Sequence, residues 1–193
     1  MEPITNRVAQ GNIEVYDLSQ HWGGQPVTEL DIEPFLYEGL MLREKEFRQA
    51  VKAHDWTAYE GHHVAIYCSV DAIVPTWAYM FIATKLQGIA VSVTFGRQKD
   101  LLREHFARAL AAEDWSAYED KNVVVKGCGS QVVPVSAYVD AVQRLQEVAA
   151  KLMFGEPCSS VPLWRKPAPT KRAAAAKPAG VKKPGLPTPS ASS

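Results

Sequence analysis

Residues 47–60, Phe47-Arg-Gln-Ala-Val-Lys-Ala-His-Asp-Trp-Thr-Ala-Tyr-Glu60, return 59 positions later as Phe106-Ala-Arg-Ala-Leu-Ala-Ala-Glu-Asp-Trp-Ser-Ala-Tyr-Glu119. Self-similarity at a fixed spacing organises any further reading, because two copies of one unit build two copies of one local structure. Working outward, Val64 matches Val123, and Pro75, Ala78, Tyr79, Leu86 and Gln87 match Pro134, Ala137, Tyr138, Leu145 and Gln146. Between these blocks Cys68 faces Cys128, one place out of step. The chain therefore reads as an internal duplication, with copies over residues 42–87 and 101–146.

Each copy predicts helix, turn, strand, loop, helix. Residues 42–53 and 101–112 set apolar side chains at helical spacing with charges between them, and each runs into an Asp-Trp turn. His63-Val-Ala-Ile-Tyr-Cys68 and Asn122-Val-Val-Val-Lys-Gly127 are short, β-rich and largely apolar, as buried strands are. Pro75 and Pro134 stand where a helix can begin without losing a hydrogen bond, which predicts helices over 75–87 and 134–152. Ile89-Ala-Val-Ser-Val-Thr-Phe95 reads as a further strand closed by Gly96. Upstream, residues 13–18 and 27–32 read as edge strands, and 34–41 as the start of a helix running into the first copy. Strands alternating with helices of a dozen residues predict an α/β fold, a three-layer domain with a mainly parallel sheet.

Composition sets the bounds. The 193 residues are 47% hydrophobic and 22% charged, ordinary for a globular chain and unlike collagen or a disulfide-rich miniprotein. The formal net charge is +0, yet residues 165–193 hold seven basic and no acidic residues, leaving 14 basic against 21 acidic in the body. That segment also holds six of the 13 prolines, and its only large apolar residues are Val181 and Leu186, so it reads as a disordered tail. It contains no aromatic to stack on bases, which does not favour nucleic acid. The reading is one domain over residues 1–164 and a basic Pro/Ala/Lys tail over 165–193. No basic-then-apolar leader opens the chain and no apolar run approaches the ~18 residues of a bilayer span. With three cysteines and no export signal, reduced thiols in the cytoplasm are expected.

Those cysteines carry the chemical reading. Cys68 and Cys128 end or follow a strand just before the loop to a Pro-started helix, at the carboxyl edge where open α/β sheets bind ligands. Cys158, in Gly155-Glu-Pro-Cys-Ser-Ser-Val-Pro-Leu-Trp164, reads as part of a loop after the last helix that returns to the same rim. Three thiolates converging there form a soft-ligand site for zinc or an iron–sulfur cluster, with Asp71 as first choice for a fourth ligand and His63 also within sequence reach. A second reading makes Cys128 a nucleophile or persulfide carrier. It lies in Lys126-Gly-Cys-Gly-Ser130, where exposed N–H groups and a nearby helix start would lower a thiol pKa. A third leaves the cysteines as small hydrophobes in a non-catalytic interaction protein with a docking tail.

Other candidates point to structure. His62 and His63 alternate across a strand and cannot chelate jointly. The turns at Asp55 to Tyr59 and Asp114 to Tyr118 read as aromatic staples, and Tyr79 and Tyr138 as buried rings with one hydroxyl bond each. No Walker loop, GxGxxG, HExxH or GxSxG is present.

The same residues carry a resemblance. Asn6-Arg-Val-Ala, Glu38-Gly-Leu-Met-Leu-Arg-Glu-Lys-Glu-Phe-Arg48, His54-Asp-Trp, Cys68-Ser-Val-Asp-Ala-Ile-Val-Pro-Thr-Trp-Ala-Tyr79, Lys126-Gly-Cys128, Pro134 with Ala137-Tyr138, and Gly155-Glu-Pro-Cys-Ser-Ser-Val-Pro-Leu163 together resemble the bacterial family catalogued as domain of unknown function 2480. The resemblance spans approximately residues 5–164, with all three cysteines in the family's Cys-containing motifs. It implies no assigned catalytic residue. It implies genes of sulfur-mobilisation iron–sulfur assembly as frequent neighbours, and hence assembly proteins as partners and a cluster as the cofactor.

Overall fold

The computed structural model describes residues 13–127, 131–156 and 159–167. Seven strands and four helices follow in order: β1 (Ile13–Tyr16), β2 (Val27–Asp31), α1 (Glu44–Ala53), β3 (His63–Tyr67), α2 (Thr76–Leu86), β4 (Ser92–Phe95), α3 (Gln98–Ala112), β5 (Asn122–Val125), α4 (Val135–Val148), β6 (Lys151–Glu156) and β7 (Ser159–Arg165). The fold is α/β with mainly parallel strands. The strands are divided between two sheets, β2-β3-β4 and β1-β5-β6-β7, rather than gathered in one. All pairings are parallel except β6 with β7.

The two sheets repeat one register. His63 of β3 lies opposite Val27 of β2 and Ser92 of β4, while Asn122 of β5 lies opposite Ile13 of β1 and Lys151 of β6. His63 and Asn122, like Ser92 and Lys151, are 59 positions apart. Local chemistry repeats as well. The Asp55 carboxylate accepts from Thr57 N–H at 3.0 Å, and Asp114 accepts from Ser116 N–H at 3.0 Å. The indole of Trp56 donates to the Val51 carbonyl and that of Trp115 to the Leu110 carbonyl, at 2.9 and 3.2 Å. The Asp-Trp turns are thus capped one-turn 3-10 helices that fasten each helix end to the following strand.

Packing follows the faces. On the three-stranded sheet, Val64 and Ile66 join Phe47 and Val51 of α1 and Ala78, Ile82 and Leu86 of α2. Ala65, pointing the other way, meets Leu101 and Leu102 of α3. Further along α3, Phe106 and Leu110 enter the core of the four-stranded sheet with Val123, Val125 and Leu152. Helix α3 therefore serves both sheets, and its 15 residues against 10 in α1 supply the extra face. Among the described residues no helix is long and apolar enough to cross a membrane.

Three expectations need correction. Residues 34–41 form a 3-10 turn (Glu33–Phe35) and a tight reversal, not a helix, because Glu38 and Gly39 take positive φ and Tyr37 bridges to Met41. The helix expected to reach 152 ends at Val148, and Leu152 to Phe154 lie in β6 at the places of Val93 to Phe95 in β4. The segment around Cys158, expected as a loop, is flanked by β6 and β7, a hairpin with Gly155 opposite Ser160. Gly155 is required there, since at φ 124 an added Cβ would stand 2.7 Å from the Ser159 carbonyl oxygen. β7 ends at Arg165, and the next residue, Lys166, donates its N–H to the Ala150 carbonyl at 2.9 Å. Residues 168–193 of the tail lie outside the described residues.

A histidine cluster stands where the sheets meet. His63, at the start of β3, bonds Ser92 Oγ through Nδ1 at 2.7 Å, while its buried Nε2 has no hydrogen-bond partner. Its ring packs on Trp22 at 4.7 Å and on His105 of α3 at 5.2 Å. His105 Nε2 donates to the His21 carbonyl at 2.8 Å, and His21 Nε2 lies 2.9 Å from the Tyr16 hydroxyl at the end of β1.

Two outcomes follow. Phe47→Ala and Phe106→Ala, each emptying a fully buried site, lower unfolding free energy by ~3–5 kcal/mol each in denaturant titrations. Burial, then the nearby His105 and Arg108, hold the His63 pKa below the ordinary histidine value of 6.5. The unfolded chain then binds the proton first, so this stabilisation is full above about pH 6.5 and is lost as pH falls through the folded-state value. Unfolding midpoints measured from pH 8 to pH 5 should fall on the acid side, and less steeply in His63→Gln.

Candidate functional site

The carboxyl ends of the parallel strands carry the polar and thiol groups of interest. In the three-stranded sheet β3 ends at Tyr67, and Cys68 and Ser69 follow directly. Asp31, the last residue of β2, accepts from Ser69 N–H at 3.1 Å and Glu33 N–H at 3.0 Å, pinning the cysteine-bearing segment to the neighbouring strand. Burial alone would raise the Asp31 pKa, but bonds from Ser69, Glu33 and Tyr67 outweigh it and hold the carboxyl below its ordinary value. Cys68 is half-buried, and its Sγ donates to the Val70 carbonyl at 3.3 Å. Asp71 is exposed on the following loop. His63 stands at the opposite end of β3, about 16 Å from Cys68 at strand rise, and is no ligand partner for it.

Beyond β4, the Arg97 guanidinium lies 3.4 Å from the centre of the Tyr67 ring and pairs with Glu29 at 2.9 Å, whose other oxygen accepts from Gln98 N–H at 2.8 Å. The Gln98 and Arg97 bonds keep Glu29 ionised below the ordinary carboxylate range. The sequence reading missed Asp31, Glu29 and Arg97. The only signal was the position of Asp31 and Arg97 at or just beyond the ends of β2 and β4, the strands that flank β3; Glu29, within β2, carried none.

In the four-stranded sheet, Lys126 N–H donates to the Tyr16 carbonyl at 2.9 Å and its Nζ pairs with Asp17 at 2.9 Å. A hydrogen bond from the Ser19 hydroxyl, with Lys126 beside it, lowers the Asp17 pKa. Gly127 lies against the Phe154 ring, where an added Cβ would collide with Cζ. The strands β5 and β6 are neighbours, with Val125 opposite Phe154. Cys128 and Cys158 lie outside the described residues. Of their described neighbours, Gly127 lies two residues beyond the end of β5, Glu156 ends β6 and Ser159 begins β7.

The rim expected for all three thiols rests on two residues outside the described ones; Cys68 follows a strand of one sheet, and the described residues that flank Cys128 and Cys158 lead from or into strands of the other. Among the described residues no group of three or more His, Cys, Asp and Glu side chains is placed to hold a metal ion. Of the remaining candidates, His62 Nδ1 meets Thr28 Oγ1 at 2.7 Å while His63 turns to Ser92. Tyr79 and Tyr138, 59 positions apart, stand edge-on to Phe95 and Phe154 at 4.9 and 5.8 Å.

No curated protein and no solved structure matches the chain. A family profile described as "Protein of unknown function (DUF2480)" matches it over residues 2–166. That span takes in both sheets and the three cysteines, and the chain belongs to this family, domain of unknown function 2480.

Proposed function

We propose that the protein binds zinc or an iron–sulfur cluster through thiolates, with Cys128 and Cys158 as the central pair, Cys68 as a third ligand and Asp71 as the fourth. One observation supports this most: β5 and β6, the strands that precede the segments bearing Cys128 and Cys158, are hydrogen-bonded parallel neighbours. Adjacent strands run about 4.8 Å apart, close to the ~3.8 Å between two sulfurs on tetrahedral zinc and below the ~6 Å between ligand sulfurs of a cubane. Thiolates select soft metals. To join them, Cys68 would exchange its bond to the Val70 carbonyl for one to the metal. A cluster held by three cysteines leaves one iron open to exchange, which suits an accessory of iron–sulfur assembly working in the reducing cytoplasm.

Anaerobic purification, elemental analysis and an absorption spectrum test this. Stoichiometric zinc, or iron with a broad band near about 400 nm, is expected. Cys128→Ala and Cys158→Ala should each lose most of the metal and Cys68→Ala a smaller share. Wild-type protein that stays metal-free after incubation with zinc, and with iron and sulfide under reductant, contradicts the proposal. Selective alkylation of Cys128 in that metal-free protein would then favour the nucleophile.

A further inference from the structure

The strand β4 is an open edge of the three-stranded sheet. Its residues, Ser92-Val-Thr-Phe95, include no charge, no proline and no bulge, the devices that keep an exposed edge from pairing. Beside it, between β4 and α2, runs an apolar cleft of about 610 Å³ lined by Ile66, Val74, Tyr79, Met80, Val93 and Phe95. Met80 is 64% exposed and Phe95 69%, so the cleft opens onto an uncovered apolar surface.

The chain itself shows what covers such an edge. The positions 59 further on from Tyr79, Ala83, Val93 and Phe95 are Tyr138, Val142, Leu152 and Phe154, between α4 and β6. There the edge is closed by the antiparallel strand β7, which places Trp164 opposite Leu152. Trp164 packs against that core together with Tyr138 and Val142. The matching cleft at β4 lacks such a strand and such an aromatic among the described residues.

We infer that β4 is completed by the β4 of a second copy, antiparallel, with the two-fold axis at Thr94. Gly96 N–H donates to the Ile66 carbonyl at 2.8 Å, and backbone groups alternate along a strand, so those of Val93 and Phe95 point away from β3. With the axis at Thr94, Val93 of each copy faces Phe95 of the other as a hydrogen-bonded pair. Phe95 then enters the partner's cleft opposite Val93, the position Trp164 takes opposite Leu152. The pairing is self-complementary, as a closed two-fold interface must be, and joins the two three-stranded sheets into one of six. Residues 168–193 offer only Val181 and Leu186 as large apolar groups, and β1 and β7, the strands next to residues 1–12 and 168–193 in the chain, lie in the other sheet.

Sedimentation equilibrium of the full chain, with reductant and chelator present to exclude thiol and metal bridges, tests the inference. The wild type should sediment at twice the 21.3 kDa chain mass. Phe95→Glu and Met80→Glu should each sediment at the single-chain mass with unchanged circular dichroism, and the second carries the test alone should the first fail to fold. Amide exchange at Val93 and Phe95 should be slower in the wild type than in Met80→Glu. A wild type that remains monomeric up to on the order of 100 µM overturns the inference and leaves the edge to a strand from another protein. A dimer that survives in the folded variants overturns it too, since the contact then lies elsewhere.

Discussion

Everything in this molecule is arranged around helix α3, which has to satisfy two sheets at once. Its first turns bring Leu101 and Leu102 onto Ala65 of the three-stranded sheet, and its later turns carry Phe106 and Leu110 into the core of the four-stranded one. The matching helix α1 serves only one sheet, through Phe47 and Val51. A single helix shared in this way explains why strands that might have formed one continuous sheet remain apart. The polar seam beside it, from Tyr16 through His21 and His105 to the ring of His63, is where the two halves meet chemically.

Much of this was legible from one spacing. The offset of 59 residues located both Asp-Trp turns, both strands that follow and both Pro-started helices, because each depends on local chemistry: a carboxylate cap, a β-branched run, a proline at a helix start. The same spacing held the correction to its own largest error. Residues 148–154 align with the strand region 89–95, but the apolar run through Leu152 also continues the period of α4, and a short apolar run does not distinguish strand from helix by itself. The turn at Glu38-Gly39 was hidden for another reason. A non-glycine residue at φ 51 is held by the Tyr37 to Met41 bridge, a contact that propensity does not register. The division into two sheets was beyond local reading altogether, since it depends on which face of α3 each sheet takes.

The candidate site was legible in part. Chain position put Cys68 just beyond β3, where the structure has it, and put Cys128 after the strand that is β5, but it set Cys158 in a loop after a helix, where the flanking residues belong to β6 and β7. What position could not supply is the sheet to which each strand belongs. The consequence is an unequal set: two cysteines whose neighbours share one sheet, and a third across the shared helix, tied down by Asp31 through Ser69 and hydrogen-bonded to Val70. A metal drawing on all three thiols would link the two halves directly, adding a covalent tie to the one α3 provides by packing.

An anomalous diffraction map from crystals of anaerobically prepared protein bears most directly on that account. It predicts a metal peak between the sulfurs of Cys128 and Cys158, with those sulfurs about 3.8 Å apart for zinc or ~6 Å for a cluster. No peak, with the two sulfurs more than ~10 Å apart, beyond the reach of either centre, would contradict it.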